Sequence, residues 1–260
     1  MGTADDGGGT VTIEDFLYRL GEAVESATST VWRCLREILA PSVQEEPPVF
    51  SFLRRFVKGM TPHEYLSLSL QLVLLGYLAV NLTFLLIRAN PLLLVLAGGA
   101  YFLLLRFIFG KYGNFFIDPL PYRVFYYGIG AISFGAFLGY GLLRAITGEV
   151  TYYYVYLFGV LLVVLAFRWY FKGRYGRDHT YGIVEDVKNN LVRVFAHDDI
   201  AANVKPGYYW VEKVPEAEPG RIVKLLVEDR KLRGAIPVRI IEVYLPQSSH
   251  TKTNPKEDAE

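Results

Sequence analysis

Polar and apolar positions divide this chain into three regimes. From Tyr65 to Phe171 the apolar residues run in long blocks: Tyr65–Ile87, Leu92–Gly110, Val124–Leu143 and Val150–Phe171. The first and third blocks carry no charged residue, and the fourth meets Arg168 only near its end. A helix rises about 1.5 Å per residue, so a block near 20 residues crosses a hydrocarbon core of roughly 30 Å. Four such blocks in succession predict a membrane α-helical bundle with four transmembrane helices, over residues 61–175. The break Arg88-Ala89-Asn90-Pro91 is short enough to make the first two spans an antiparallel hairpin.

After residue 178 the pattern changes to short runs rich in Val, Ile and Tyr. Strands are expected at Tyr181–Val187, Leu191–His197, Gly207–Lys213, Arg221–Glu228 and Ala235–Leu245. Lys188-Asn189-Asn190 suits a tight hairpin because Asn tolerates positive φ, and Pro219-Gly220 and Arg233-Gly234 mark further turns. Five strands in so short a segment predict a C-terminal small β-barrel-like soluble domain over 178–245, of oligonucleotide-binding or SH3-like type. The polar tail 246–260 is expected to be disordered.

The N-terminal segment, residues 1–60, has a third pattern. Ile13, Leu17, Leu20, Val24, Ala27, Val31, Cys34 and Ile38 follow one another in steps of four and three, a heptad seam. With Thr12 as cap and Pro41 as stop, they predict an N-terminal amphipathic helix. Self-association through Leu17, Leu20, Val24, Val31 and Ile38 would form a coiled coil. Phe16 and Leu35 widen the stripe, which equally suits a helix lying on the membrane or on its own chain. A short acidic, proline-containing linker follows at Gln44–Pro48.

Composition agrees with membrane insertion. The chain is 52% hydrophobic over 260 residues with mean hydropathy +0.25, too apolar for an ordinary soluble protein. Charge distribution sets the expected orientation. Arg54, Arg55, Lys58, Lys111, Arg123, Lys172, Arg174 and Arg177 flank one side of the spans, and only Arg88, Arg144 and Glu149 flank the other. The positive-inside rule then makes this a multi-pass protein of the cell (plasma) membrane with both termini cytoplasmic. Tyr152, Tyr153, Tyr154 and Tyr156 at one edge, and Tyr122, Tyr126, Tyr127, Trp169 and Tyr170 at the other, fit interfacial aromatic belts. The start lacks the basic, then apolar, pattern of a signal peptide, so the first span is expected to act as its own insertion signal. Cys34 is the single cysteine and implies no disulfide.

Candidate chemistry is sparse. Ala131, Gly135 and Gly139 recur every four residues in the third span, and Gly98 and Gly99 smooth the second. Small residues at that spacing let helix backbones approach closely, within the bundle or between copies; a glycine-lined path for a solute is the sharper reading. The spans hold Gln71, Asn81, Thr83 and Ser133 but no Asp, Glu, His or Lys at depth, which argues against proton-coupled transport and intramembrane hydrolysis. A membrane enzyme would need an aqueous site built from His63, His179, His197, Asp198 or Asp199. Neither His197-Asp198-Asp199 nor Asp178-His179 has metal-motif spacing, so no metal or cofactor is expected. Phe195, Tyr208, Tyr209 and Trp210 could stack on bases, but residues 178–245 hold ten Lys and Arg against eleven Asp and Glu. That balance argues against nucleic acid.

In its whole layout, and in the phrases Tyr181-Gly182-Ile183-Val184 and Pro237-Val238-Arg239-Ile240-Ile241-Glu242-Val243, the chain resembles an uncharacterised family of archaeal, hyperthermophile-type predicted integral membrane proteins. That family carries no known activity, so the resemblance implies a membrane location and no site residues. Few Gln and many charged residues agree with a thermophile-like composition. The leading expectation is a non-enzymatic membrane protein, set in the lipid bilayer, that docks a cytoplasmic protein partner or assembles as a homo-oligomer through its cytoplasmic β domain and N-terminal helix. The alternative is a small transport or channel component using the glycine-rich third span.

Overall fold

The computed structural model describes residues 61–230 and 234–244, with isolated positions between Glu22 and Arg36. The heptad seam of Leu17, Leu20, Val24, Val31 and Ile38, the linker after it and the C-terminal tail lie outside the described residues.

Four helices are long and apolar enough to cross a membrane: α1 (Pro62–Leu86), α2 (Pro91–Tyr112), α3 (Pro119–Ile146) and α4 (Val150–Tyr175). Three of them start on proline, whose missing N–H costs nothing in a first turn. α1 begins ahead of its apolar block because Thr61 and Glu64 form a capping box. The Glu64 amide donates to Thr61 Oγ1 at 3.4 Å, and the Thr61 amide donates to Glu64 Oε2 at 3.1 Å. The polar turn His63-Glu64 is thereby built into the helix at its mouth.

The helices run up and down with short connections. Packing is densest at the end where α1 begins. Leu66 and Leu70 of α1, Leu105 and Phe109 of α2, and Tyr122 and Tyr126 of α3 form one buried cluster there. Tyr77 stacks on Tyr101 with ring centroids 4.4 Å apart, and the Tyr101 hydroxyl donates to the Tyr126 carbonyl at 3.0 Å. Asn81 is fully buried, and its side-chain amide donates to the Tyr77 carbonyl of its own helix at 2.8 Å. α4 packs chiefly on α3, through Phe125 against Phe171 at 5.4 Å and Phe167 seated over Gly128.

Past α4 the chain enters a five-stranded antiparallel sheet: β1 (His179–Lys188), β2 (Leu191–Ala196), β3 (Gly207–Glu212), β4 (Ile222–Arg230) and β5 (Gly234–Tyr244), in the order β3-β2-β1-β4-β5. Asn189 takes φ 51° in the two-residue β1–β2 turn, where Lys188 pairs with Leu191. The sheet curls over a core of Val184, Val192, Val194, Val211, Val223 and Leu225. Gly182 permits that curl. A Cβ there would lie 2.6 Å from Val194 Cγ1 and 2.8 Å from the Phe195 carbonyl oxygen.

The expected closed barrel does not form. The edge strands β3 and β5 approach one another but are not paired, and the segment between β2 and β3 meets β5 through a single parallel bridge from Val204 to Ala235. Two causes are visible. β3 has six residues against eleven in β5, and β5 shifts register against β4 twice, at Ile241 and at Val238 beside Pro237, which has no N–H to donate.

Candidate functional site

The sheet is joined to the bundle by a cluster of polar side chains at the helix mouth. It is assembled from the first turns of α1 and α3, the α4–β1 connection, and residues 197–204 between β2 and β3.

Asp199 organises the last of these. Its carboxylate accepts the amides of Ala201 and Ala202, both at 3.0 Å, the Thr180 hydroxyl at 2.9 Å and an Arg177 guanidinium N–H at 3.1 Å. The backbones of Asp199 and Val204 exchange two hydrogen bonds of 3.0 Å. Arg177 also reaches Asp118, just ahead of α3, at 3.5 Å. One carboxylate and one guanidinium therefore tie the end of α4, the start of α3 and the β2–β3 segment together.

That arrangement pushes Asp198 into the mouth of the bundle. Its carbonyl oxygen accepts from His63 Nε2 at 2.8 Å and from the Tyr122 hydroxyl at 2.9 Å, using both lone pairs. Its carboxylate accepts the Ser67 hydroxyl. A carbonyl holds no proton, so His63 carries its own on Nε2, and Nδ1 is buried with no hydrogen-bond partner among the described residues. The rings of Phe116 and Tyr122 stand edge-on to His63 at 5.7 and 5.5 Å. Burial raises Asp198 above the usual carboxylate range, against the opposing pull of the Ser67 bond and His63.

Beside it, His197 Nδ1 faces Glu64 Oε1 at 3.7 Å, with side chains only 16% and 6% exposed. The separation is beyond hydrogen-bond range, and neither atom has another partner among the described residues. Burial lowers His197 below its ordinary 6.5, partly offset by Glu64 and reinforced by His63.

The structure thus gathers His63, His197, Asp198 and Asp199, and adds Glu64 and Ser67, which the sequence did not single out, with Tyr122 and Arg177, which it read only as a belt aromatic and a flanking charge. The capping box at Thr61 was the available signal for Glu64. His179 lies apart, bonded to Asp178 at 3.0 Å and edge-on to Tyr181. Ser67 is bonded to a carboxylate and His63 to a carbonyl, so the two do not form a nucleophile–base pair. The cavity between these groups measures about 20 Å³, the size of one water. What this geometry does is hold the sheet on the bundle.

The convex face of the sheet is the second notable surface. Direct cross-strand pairing aligns Tyr208, Phe195, Ile183, Ile222 and Tyr244 in one row across all five strands. All but the half-buried Phe195 are exposed, and Trp210 extends the row on β3. Arg193, paired with Glu185 at 3.2 Å, lies over the Tyr208 ring at 5.2 Å.

The small residues of the spans divide. Gly98 makes room for the Phe134 ring and Gly139 for the Tyr156 hydroxyl, whereas Gly99 and Gly135 face open space and Ala131 is exposed. Gly128 and Gly130, outside the four-residue stripe, receive Phe167 and Tyr101.

Among known proteins, the model of a family described as "Predicted membrane protein (DUF2101)" matches residues 35–241, which take in all four helices and nearly all of the sheet. No curated protein and no solved structure matches the chain.

Proposed function

From the premise that the chain belongs to this family of predicted membrane proteins, we propose that it is a non-enzymatic membrane module that presents its sheet as a docking platform for a cytoplasmic protein. The observation that carries the reading is the five-residue row on the convex face. Apolar side chains aligned across every strand make a continuous patch, and such patches on soluble surfaces mark interaction sites. The polar cluster at the mouth supports it, because it fixes the platform's orientation relative to the bilayer. Orientation rests on charge: Lys111, Arg123, Lys172, Arg174 and Arg177 lie at the sheet end of the helices, and an excess of Lys and Arg on one side favours a cytoplasmic sheet.

The test is photo-cross-linking of the full-length protein in its native membrane, with the reactive residue at Tyr208 or Trp210. A discrete adduct that disappears in the Ile183→Lys, Ile222→Lys double variant supports docking, provided the variant still inserts. An adduct of twice the chain mass would assign the platform to self-assembly instead. Unchanged adducts in the variant would remove the row from the account. The transport alternative draws support from a cavity at the opposite end of the bundle.

A further inference from the structure

At the end of the bundle away from the sheet, α1, α3 and α4 enclose a cavity of about 610 Å³. That volume lies in the range of small-molecule sites. Because α4 packs on α3 and hardly on α1, the cavity opens sideways between α1 and α4, where the hydrocarbon of a bilayer would lie. Its walls are largely apolar, with Leu82 and Leu86 on one side and Phe137 and Val160 on the others. One charge enters it, the guanidinium of Arg144 in the last turn of α3.

Arg144 is held in place without being neutralised. It is partly buried and donates one N–H to the Leu85 carbonyl at 3.0 Å. That leaves four of its five donors uncommitted by this bond, and no carboxylate among the described residues lies within ion-pair reach. Glu149, the nearest acidic residue in sequence, is exposed and forms no pair with it. The aromatic rim is equally fixed. The Tyr153 hydroxyl donates to the Thr147 carbonyl and the Tyr156 hydroxyl to the Ala136 carbonyl, each at 2.8 Å, and Tyr140 packs on Tyr153 at 5.4 Å. A cation at the membrane edge that faces a cavity suits an anionic headgroup, and an apolar chamber suits a chain.

We propose that this cavity binds one anionic membrane lipid, with an acyl or isoprenoid chain between α1, α3 and α4 and its headgroup on Arg144. Arg144 also completes the α3 dipole and steadies the end of α1, but those roles need neither the chamber nor the free donors.

The experiment is native mass spectrometry of the full-length protein released from nanodiscs of equal dioleoyl phosphatidylglycerol and dioleoyl phosphatidylcholine. Wild type is expected to retain one phosphatidylglycerol in preference to phosphatidylcholine by roughly fivefold to tenfold. Arg144→Gln should abolish the preference, and Arg144→Lys should restore most of it. Val160→Trp, which fills the chamber and keeps the charge, should lose both lipids, and millimolar inorganic phosphate should displace neither. Equal retention of the two lipids by wild type, or an unchanged preference in Arg144→Gln, overturns the proposal. So does a dimer abolished by Val160→Trp, which would give the cavity to a second copy. If Arg144→Gln fails to insert, the Val160→Trp result decides by itself.

Discussion

His63 Nε2 lies 2.8 Å from the carbonyl oxygen of Asp198, 135 residues further along the chain. One residue stands in the first turn of a membrane-spanning helix and the other in a segment between two strands. Through this contact, and the Ser67 and Tyr122 bonds beside it, the sheet takes one orientation on the bundle.

Ser67→Ala should loosen that junction. It leaves the buried Asp198 carboxylate one donor short, a cost of about 1–3 kcal/mol. Hydrogen exchange at the amides of residues 199–204 should accelerate by about tenfold to a hundredfold, with the strand interiors unchanged. Uniform acceleration through the sheet would show that Ser67 supports the fold and not the junction.

The junction should also weaken in mild acid. Burial holds His197 below 6.5, so the folded protein binds its proton less readily than the unfolded chain does. Stability from the neutral ring is therefore complete above pH 6.5 and falls as pH drops through that value toward the folded pKa. Asp198, raised by burial, acts with the opposite sign: acid relieves its charge, and stability returns as pH falls through its own folded pKa. With the intrinsic pH dependence of exchange divided out, protection at 199–204 should fall between pH 7.5 and 5.5 through His197, and His197→Gln should remove that fall.

Gly182→Ala should destabilise the sheet by about 1–3 kcal/mol, because the new Cβ meets the Phe195 carbonyl, which cannot move without breaking strand pairing. Gly207→Ala is the control, since its nearest neighbour would be 3.9 Å away. Thermal denaturation followed by far-ultraviolet circular dichroism should separate the two. Equal midpoints would contradict the packing argument.

Within the bundle, Gly130→Ala should disturb the contact of α2 with α3, because its Cβ meets the Tyr101 ring and threatens the Tyr101–Tyr126 hydrogen bond. Gly135→Ala meets no atom within 4 Å and should be nearly silent. Resistance to unfolding in a graded series of harsher detergents reads the difference. A greater loss for Gly135→Ala would point to a contact made outside this chain.

The helices and strands could be read from the chain because their causes are local. A run of some twenty apolar residues makes a span wherever it occurs, proline marks the starts of α1, α2 and α3, and alternation with an Asn-Asn turn makes the β1–β2 hairpin. Barrel closure could not be read, because it depends on whether β3 and β5 reach one another across a gap set by curl, bulges and Pro237. The stripe of Ala131, Gly135 and Gly139 shows the same limit. Spacing names a helix face but not what that face meets, and Phe134, Phe167 and Tyr101 lie over Gly98, Gly128 and Gly130. The junction was the least visible part of all. His63, Ser67, Tyr122 and His197 to Asp199 are scattered polar residues in sequence, and only the return of the β2–β3 segment to the mouth of the bundle turns them into one buried cluster. Local periodicity carries secondary structure, while contacts across more than a hundred residues exist only once the chain has packed.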